Sequence, residues 1–199
     1  GLSGTGPKAG GPLYMYRLLA TRPQDAVAKQ LQQEEGEIQR PAAQATVIQA
    51  LQDWAVEHEP SLPALTMQYV ELAQSGTVQL LAGPTGERNS YSLLPREHVL
   101  CLADDRSDLL VQLAAALAVG CQVLWQESEL SQALFAALPT LVQQRISLLG
   151  QWSSSETSFD AILHHGDSDQ LREVSQLAAK RAGAIVGVHG LNKGETDIP

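Results

Sequence analysis

Four residues late in the chain, His164, His165, Asp167 and His189, carry the side chains best suited to proton transfer or metal binding if a fold gathers them. A neutral imidazole both carries protons near neutral pH and ligates metal ions. His164 and His165 are adjacent, however, and neighbours on a strand point to opposite faces, so the two do not readily serve one ion. Asp104, Asp105 and Arg106 place two carboxylates and a guanidinium where an apolar run ends. The simpler reading of those acids is helix entry, because the first N–H groups of a helix favour negative charge. Cys101 lies inside an apolar run and Cys121 begins one, with no Lys, Arg or His adjacent in sequence to lower the thiol pKa, so both read as buried and inert. No GxSxG, HExxH or CxxC is present.

Glycine-rich stretches raise phosphate binding as a second chemistry. Gly1 to Lys8 has the GxxxxG spacing of a phosphate loop, but Pro7 stands where Lys must follow, and proline has no amide to donate. Gly83-Pro84-Thr85-Gly86 falls between two predicted strands and reads as a turn. No GxGxxG follows any predicted strand of the parallel sheet, so an ordinary dinucleotide fingerprint is missing.

The elements that must position these residues follow from composition and periodicity. The chain has 199 residues, 44% of them hydrophobic, enough for a substantial core. Lys plus Arg number 13 against 22 Asp plus Glu, and a net charge of −9 argues against an extended nucleic-acid face. Two cysteines make no disulfide framework, which fits a reducing, cytoplasmic setting. No apolar run is long enough to span a membrane. A start at GLSGTGPKAGGP, without Met and glycine-rich, reads as a piece of a longer polypeptide.

Leu13 to Leu19 suits a strand or short helix, and the Gln-rich stretch from Thr21 to Gln44 reads as solvated helix or linker. Val47, Ile48, Leu51, Trp54 and Ala55 recur at helical spacing, as do Leu62, Leu65, Tyr69, Leu72 and Ala73 beyond Pro60 and Pro63. Residues 77–82 and 90–94 predict a hairpin. Thereafter strands at 99–103, 122–125, 159–164 and 184–189 alternate with helices at 107–119, 128–138 and 167–181. Gly120 is expected to end the first of these helices, Ser128 to cap the second, and Asp167 or Ser168 the third. Residues 145–149 stay ambiguous between helix end and strand. The expected fold is α/β: a Rossmann-like, doubly wound, mostly parallel sheet with an N-terminal helical segment and a β-hairpin.

Three stretches, GLSGTGPKAGGPLYMYRLL, GPTGERNSYSLLPREHVLCLA and AILHHGDSDQL, resemble the late portion of the proline utilization A (PutA) family, flavoenzymes that join a proline dehydrogenase to a glutamate semialdehyde dehydrogenase. The resemblance implies four parts: 1–23 as the tail of the dehydrogenase module, 24–76 as a helical connector, 77–95 as the hairpin, and 96–199 as a degenerate domain like the nucleotide-binding domain of aldehyde dehydrogenases. Against the aldehyde dehydrogenase pattern, Leu102-Ala103-Asp104-Asp105-Arg106 lacks the oxyanion-stabilising Asn, and Trp125 replaces the ribose-binding Lys. His164-His165-Gly166-Asp167-Ser168 stands where a Phe-Thr-Gly-Ser turn meets the pyrophosphate, and Val188-His189-Gly190-Leu191 lacks the general-base Glu. Gly1, Leu2 and Ser3 match the loop that holds the substrate carboxylate in the intact enzyme. In the fragment they are expected to be disordered or rearranged.

The resemblance therefore implies a noncatalytic domain with no catalytic, cofactor or metal residues of its own, within a parent using FAD and NAD. Its expected partner is the dehydrogenase module of the same polypeptide, against which it packs to seal the path of the intermediate. Homo-oligomerisation through the Gly83 hairpin, or retained binding of NAD as a regulatory ligand, are the rival expectations. Nucleic acid and membrane are not expected partners of the fragment, although the cytoplasmic parent is expected to associate peripherally with the inner membrane.

Overall fold

The computed structural model describes residues 42–81, 89–154 and 157–198, together with Leu18 and the pair Glu37–Ile38. Two compact units divide the chain: one combines 1–39 with Gly76–Leu94, the other Arg40–Ser75 with 95–199.

The first unit holds a small antiparallel sheet of β1 (Glu37–Ile38), β2 (Thr77–Leu81) and β3 (Asn89–Ser92), in that order. Val78 pairs with Ser92 and Leu81 with Asn89, and the ladder extends through Leu93, whose N–H donates to Thr77 O at 2.9 Å. The hairpin is therefore present, its second strand shorter than the pattern predicts. Glu37 and Ile38 lie in the stretch read as helix or linker. They are strand because β2 offers an open edge, with Glu37 opposite Val78.

In the second unit, β4 (His98–Leu102), α3 (Arg106–Val119), β5 (Gln122–Gln126), α4 (Glu129–Ala137), α5 (Thr140–Gln143), β6 (Ile146–Leu149), β7 (Ala161–His165), α6 (Ser168–Ala179) and β8 (Gly187–Leu191) follow a helical hairpin of α1 (Ala42–His58) and α2 (Leu62–Leu72). The five strands are all parallel, in the order β6-β5-β4-β7-β8. Alternation along each strand sorts the core into two faces. Val99, Cys101, Val123, Trp125 and Leu163 meet α3, α4 and the α1–α2 pair, while Leu100, Leu124 and Ile162 meet Trp152, Phe159 and the inner side of α6.

Helix α3 is apolar all round because it is covered all round. Every residue from Asp108 to Ala118 is buried, the sheet lying on one side and Ile48, Leu51, Ala55 and Leu62 of α1 and α2 on the other. Gly120 ends it in the left-handed conformation, φ 95°, as expected, and Gln44 Nε2 from α1 donates to the free carbonyl of Ala118 at 2.7 Å.

Elsewhere the boundaries move. Within the ambiguous stretch 145–149, Ile146–Leu149 is strand, preceded by the unpredicted short helix α5. Phe159 is not in β7 but in the loop before it, edge-on to Trp152 with centroids 6.3 Å apart and beneath the Arg181 guanidinium at 4.3 Å. Arg181 also donates to the carbonyls of Trp152, Ser154 and Thr157, so this loop is organised by one cation. The last strand begins three residues and ends two residues later than the apolar run predicts, and Ile185 is fully exposed. Its register pairs Ala161 with Gly187 and His165 with Leu191, and it brings Gly190 beneath α6, where a Cβ would come within 2.4 Å of Leu171. Close approach fixes the register against the pull of local hydrophobicity.

Candidate functional site

From β4 the chain winds outward through β5 to β6, then returns to place β7 on the other side of β4. Ligands of open α/β sheets bind at such a switch, outside the carboxyl ends of the strands. A crevice of about 430 Å³ opens there, with Asp104, Trp125, Glu127, Trp152, His164 and Glu173 among its walls.

Three helices begin at this edge, and each first turn is closed by the chain's own side chains. Asp105 Oδ1 accepts from Ser107 N–H at 2.8 Å on α3. Ser128 Oγ accepts from Ser131 N–H at 3.1 Å on α4, and Ser131 Oγ returns the contact to Ser128 N–H at 2.9 Å. On α6, Asp167 Oδ1 accepts from the N–H groups of Asp169 and Gln170 at 3.0 and 2.9 Å, while Gln170 Oε1 accepts from Asp167 N–H at 3.0 Å. The Gln170 N–H, with that of Asp169, holds the Asp167 carboxyl below its usual range. Gln170 Nε2 then donates to Asp104 Oδ2 at 3.0 Å, tying the ends of β4 and α6 together.

A dinucleotide pyrophosphate does not fit these residues. The backbone donors that would receive it are occupied, two of the three caps are carboxylates, and Asp104, Glu127 and Glu173 add negative charge. Gly166 makes no room for a phosphate either: a Cβ there would lie 2.5 Å from both Gln170 Oε1 and His164 Cε1, so the chain's own side chains fill the space. Trp125, where the resemblance expects the ribose-binding Lys, is fully buried.

The histidines do not assemble. His164 and His165 point to opposite faces, as their adjacency predicts, and His189 stands in register with Leu163 instead of either. Among the described residues no group of three or more His, Cys, Asp or Glu could hold a metal ion. His165 is a structural link: Gln112 Nε2 lies 2.8 Å from its Nδ1 and donates also to Leu102 O at 3.0 Å, and Glu195 O lies 2.8 Å from its Nε2. Both ring nitrogens are satisfied in the neutral form protonated at Nε2. His164, facing α6, has a buried Nδ1 without a partner among the described residues, and burial lowers its pKa against the opposing pull of Asp104.

Asp105 fulfils the helix-entry reading, whereas Asp104 serves as a crosslink and Arg106 turns away to Glu59 at 2.9 Å and the ring of Trp54. Cys101 and Cys121 are buried, and burial raises both thiol pKa values. Gly1, Leu2 and Ser3 lie outside the described residues. Gln112, Asp108 and Gln170 escaped the sequence reading. A lone Gln within the run LLVQLAAALAV was the available signal, since a polar residue inside an otherwise apolar helix needs a buried partner. Asp108 accepts from Gly194 N–H at 2.9 Å, and Tyr69 Oη donates to Thr196 O, so the segment after β8 is pinned to α2 and α3.

No family model matches the chain. Among curated proteins, the bifunctional protein PutA of Klebsiella aerogenes is 54% identical over 202 residues, and that of Escherichia coli K12 is 53% identical over the same length; each alignment takes in all of this chain and 15% of the relative. The Rhizobium meliloti protein of the same name is 33% identical over 199 residues, 98% of this chain and 15% of that one. Among solved structures, proline utilization A with proline bound in remote sites superposes with a TM-score of 0.58 at 17% identity, covering 79% of this chain and 20% of that one. Staphylococcus aureus AldH in its substrate-bound state gives 0.52 at 15%, covering 84% and 43%. The switch-point sheet is thus shared with aldehyde dehydrogenase folds, and in sequence the chain matches, from end to end, a segment that spans 15% of the length of those PutA relatives.

Proposed function

We propose that this chain is a noncatalytic domain of a bifunctional proline-oxidising enzyme, one that keeps a dinucleotide-binding architecture and works through its surface. The parent would use FAD for proline dehydrogenation and NAD for oxidation of the semialdehyde, and this segment would pack against the dehydrogenase module and keep bulk water from the path of the intermediate. The observation that carries the reading is the set of self-capped helix ends at the switch point, with Asp105 and Asp167 on the very donors a phosphate needs. A side chain that satisfies those donors supports the fold and removes the anion site together.

The test is a full-length PutA lacking residues 96–199. Loss of semialdehyde dehydrogenase turnover, or release of the intermediate into solution during coupled turnover, is the expected result; normal channelling by the deleted enzyme defeats the proposal. Calorimetric titration of the 199-residue chain with NAD discriminates the regulatory nucleotide reading, and the expected outcome is no saturable heat at millimolar cofactor.

A further inference from the structure

We propose that the free edge of β8 is completed in the parent enzyme by a further strand, an extended segment of the polypeptide outside residues 1–199 that pairs with Val188 and Gly190 and covers Ile185. The inference deepens the packing role proposed above and rests on it for the identity of the partner.

The open groups on this edge can be named. Gly166 N–H donates to Leu191 O at 3.0 Å, so the backbone of Leu191 faces β7. Alternation turns Gly187 and His189 the same way and aims the N–H and C=O groups of Val188 and Gly190 outward, where no described residue bonds them. Such a row of backbone donors and acceptors is a template for another strand.

Edges of native sheets are usually blunted by charge, proline or a bulge, and β8 has none of these. Its sequence, Gly187-Val188-His189-Gly190-Leu191, contains no Lys, Arg, Asp, Glu or Pro. Its register with β7 runs unbroken from Ala161 to His165, so no bulge twists the edge away. The opposite edge of the sheet differs, because β6 is entered through Arg145, a charge of the kind that discourages pairing. The chain enters β8 through the fully exposed Ile185.

Two observations select the occupant. The chain spans 15% of the length of its relatives, so most of the parent lies outside it and can supply a strand. A second copy of this chain is the poorer fit, since each copy brings a net charge of −9 to the junction. Val186 and Val188 are half-buried against the core on the α6 side of the sheet. Side chains of the incoming strand on that side lie next to them, so the segment carries apolar residues at alternate positions.

The test compares deuterium uptake in peptides covering 184–191, located by electron-transfer fragmentation, between the 199-residue chain and the full-length parent. The amides of Val188 and Gly190 are expected to exchange at least about tenfold more slowly in the parent, while those that face β7 stay protected in both. Ile185→Asp changes a side chain exposed in this chain, so thermal unfolding of the 199-residue protein should be unaltered. In the parent the same substitution should speed exchange at Val188 and Gly190 by about threefold or more. Equal uptake in the two proteins overturns the inference, as does an Ile185→Asp parent that exchanges like the unsubstituted one. Protection that rises with concentration in the isolated chain marks pairing between copies and overturns it equally. If the edge fails while other peptides of 96–199 are slowed in the parent, the packing role stands without it; if none is slowed, both fall.

Discussion

His164 and His165 are the same residue one position apart, and the fold treats them oppositely. His165 points to the face where α3 is enclosed between the sheet and the α1–α2 pair, and both its nitrogens are bonded. His164 points to the face covered by α6, a helix with no buried residue of its own, and its Nδ1 has no partner among the described residues. The lesson is that burial alone does not decide whether a polar group is satisfied; a donor within reach, such as Gln112 for His165, does.

The comparison breaks most visibly through core truncation. Leu113→Ala on α3 should cost about 2–5 kcal/mol in urea unfolding, against about 1–2 kcal/mol for Val174→Ala on the half-covered inner side of α6. Equal losses would erase the distinction between the faces. Next in size, Gln112→Leu leaves His165 Nδ1 and the Leu102 carbonyl without their donor and should cost about 1–3 kcal/mol, whereas His164→Leu should stay within about 1 kcal/mol of the parent.

Titration sharpens the contrast further. His164 has its pKa lowered from 6.5, chiefly by burial, with His165, Asp104 and Asp167 as the charged or titratable neighbours acting on it. Its contribution to stability is intact above pH 6.5. As pH falls below that value the unfolded chain takes up a proton that the folded one resists, so stability declines until the lowered folded value is passed. His164→Leu should flatten that part of the pH–stability curve. The smallest effect is expected at the exposed cap. Asp167 contributes above its ordinary carboxylate range and loses that contribution as pH falls through its lowered folded value, so Asp167→Asn should lower stability slightly at neutral pH and make no difference once acid has neutralised the carboxyl. Amide exchange of Asp169 and Gln170 would register the change before global unfolding does.

Much of this unit was legible in the sequence where local signals and tertiary demands agree. Ser128, Asp167 and Gly120 act where their types predict, since capping and the left-handed turn are local chemistry. The displaced last strand was not legible, because its position depends on Leu171 lying over Gly190, a contact between elements. β1 depends likewise on an edge that β2 provides, and α5 on a turn too short to show periodicity. At the switch point, the sequence offered the caps Asp105, Ser128 and Asp167 as local signals. That Gln170 bridges Asp104 and Asp167, and that His164 is left unbonded, required the geometry.

The second unit is assembled from two stretches of chain, Arg40–Ser75 and 95–199, with the β2–β3 hairpin between them belonging to the other unit. Covalent continuity between those stretches is therefore not what keeps α1 and α2 on α3; apolar contact is. A protease nick between β2 and β3 should leave two fragments that co-elute and refold when mixed, neither being soluble without its counterpart.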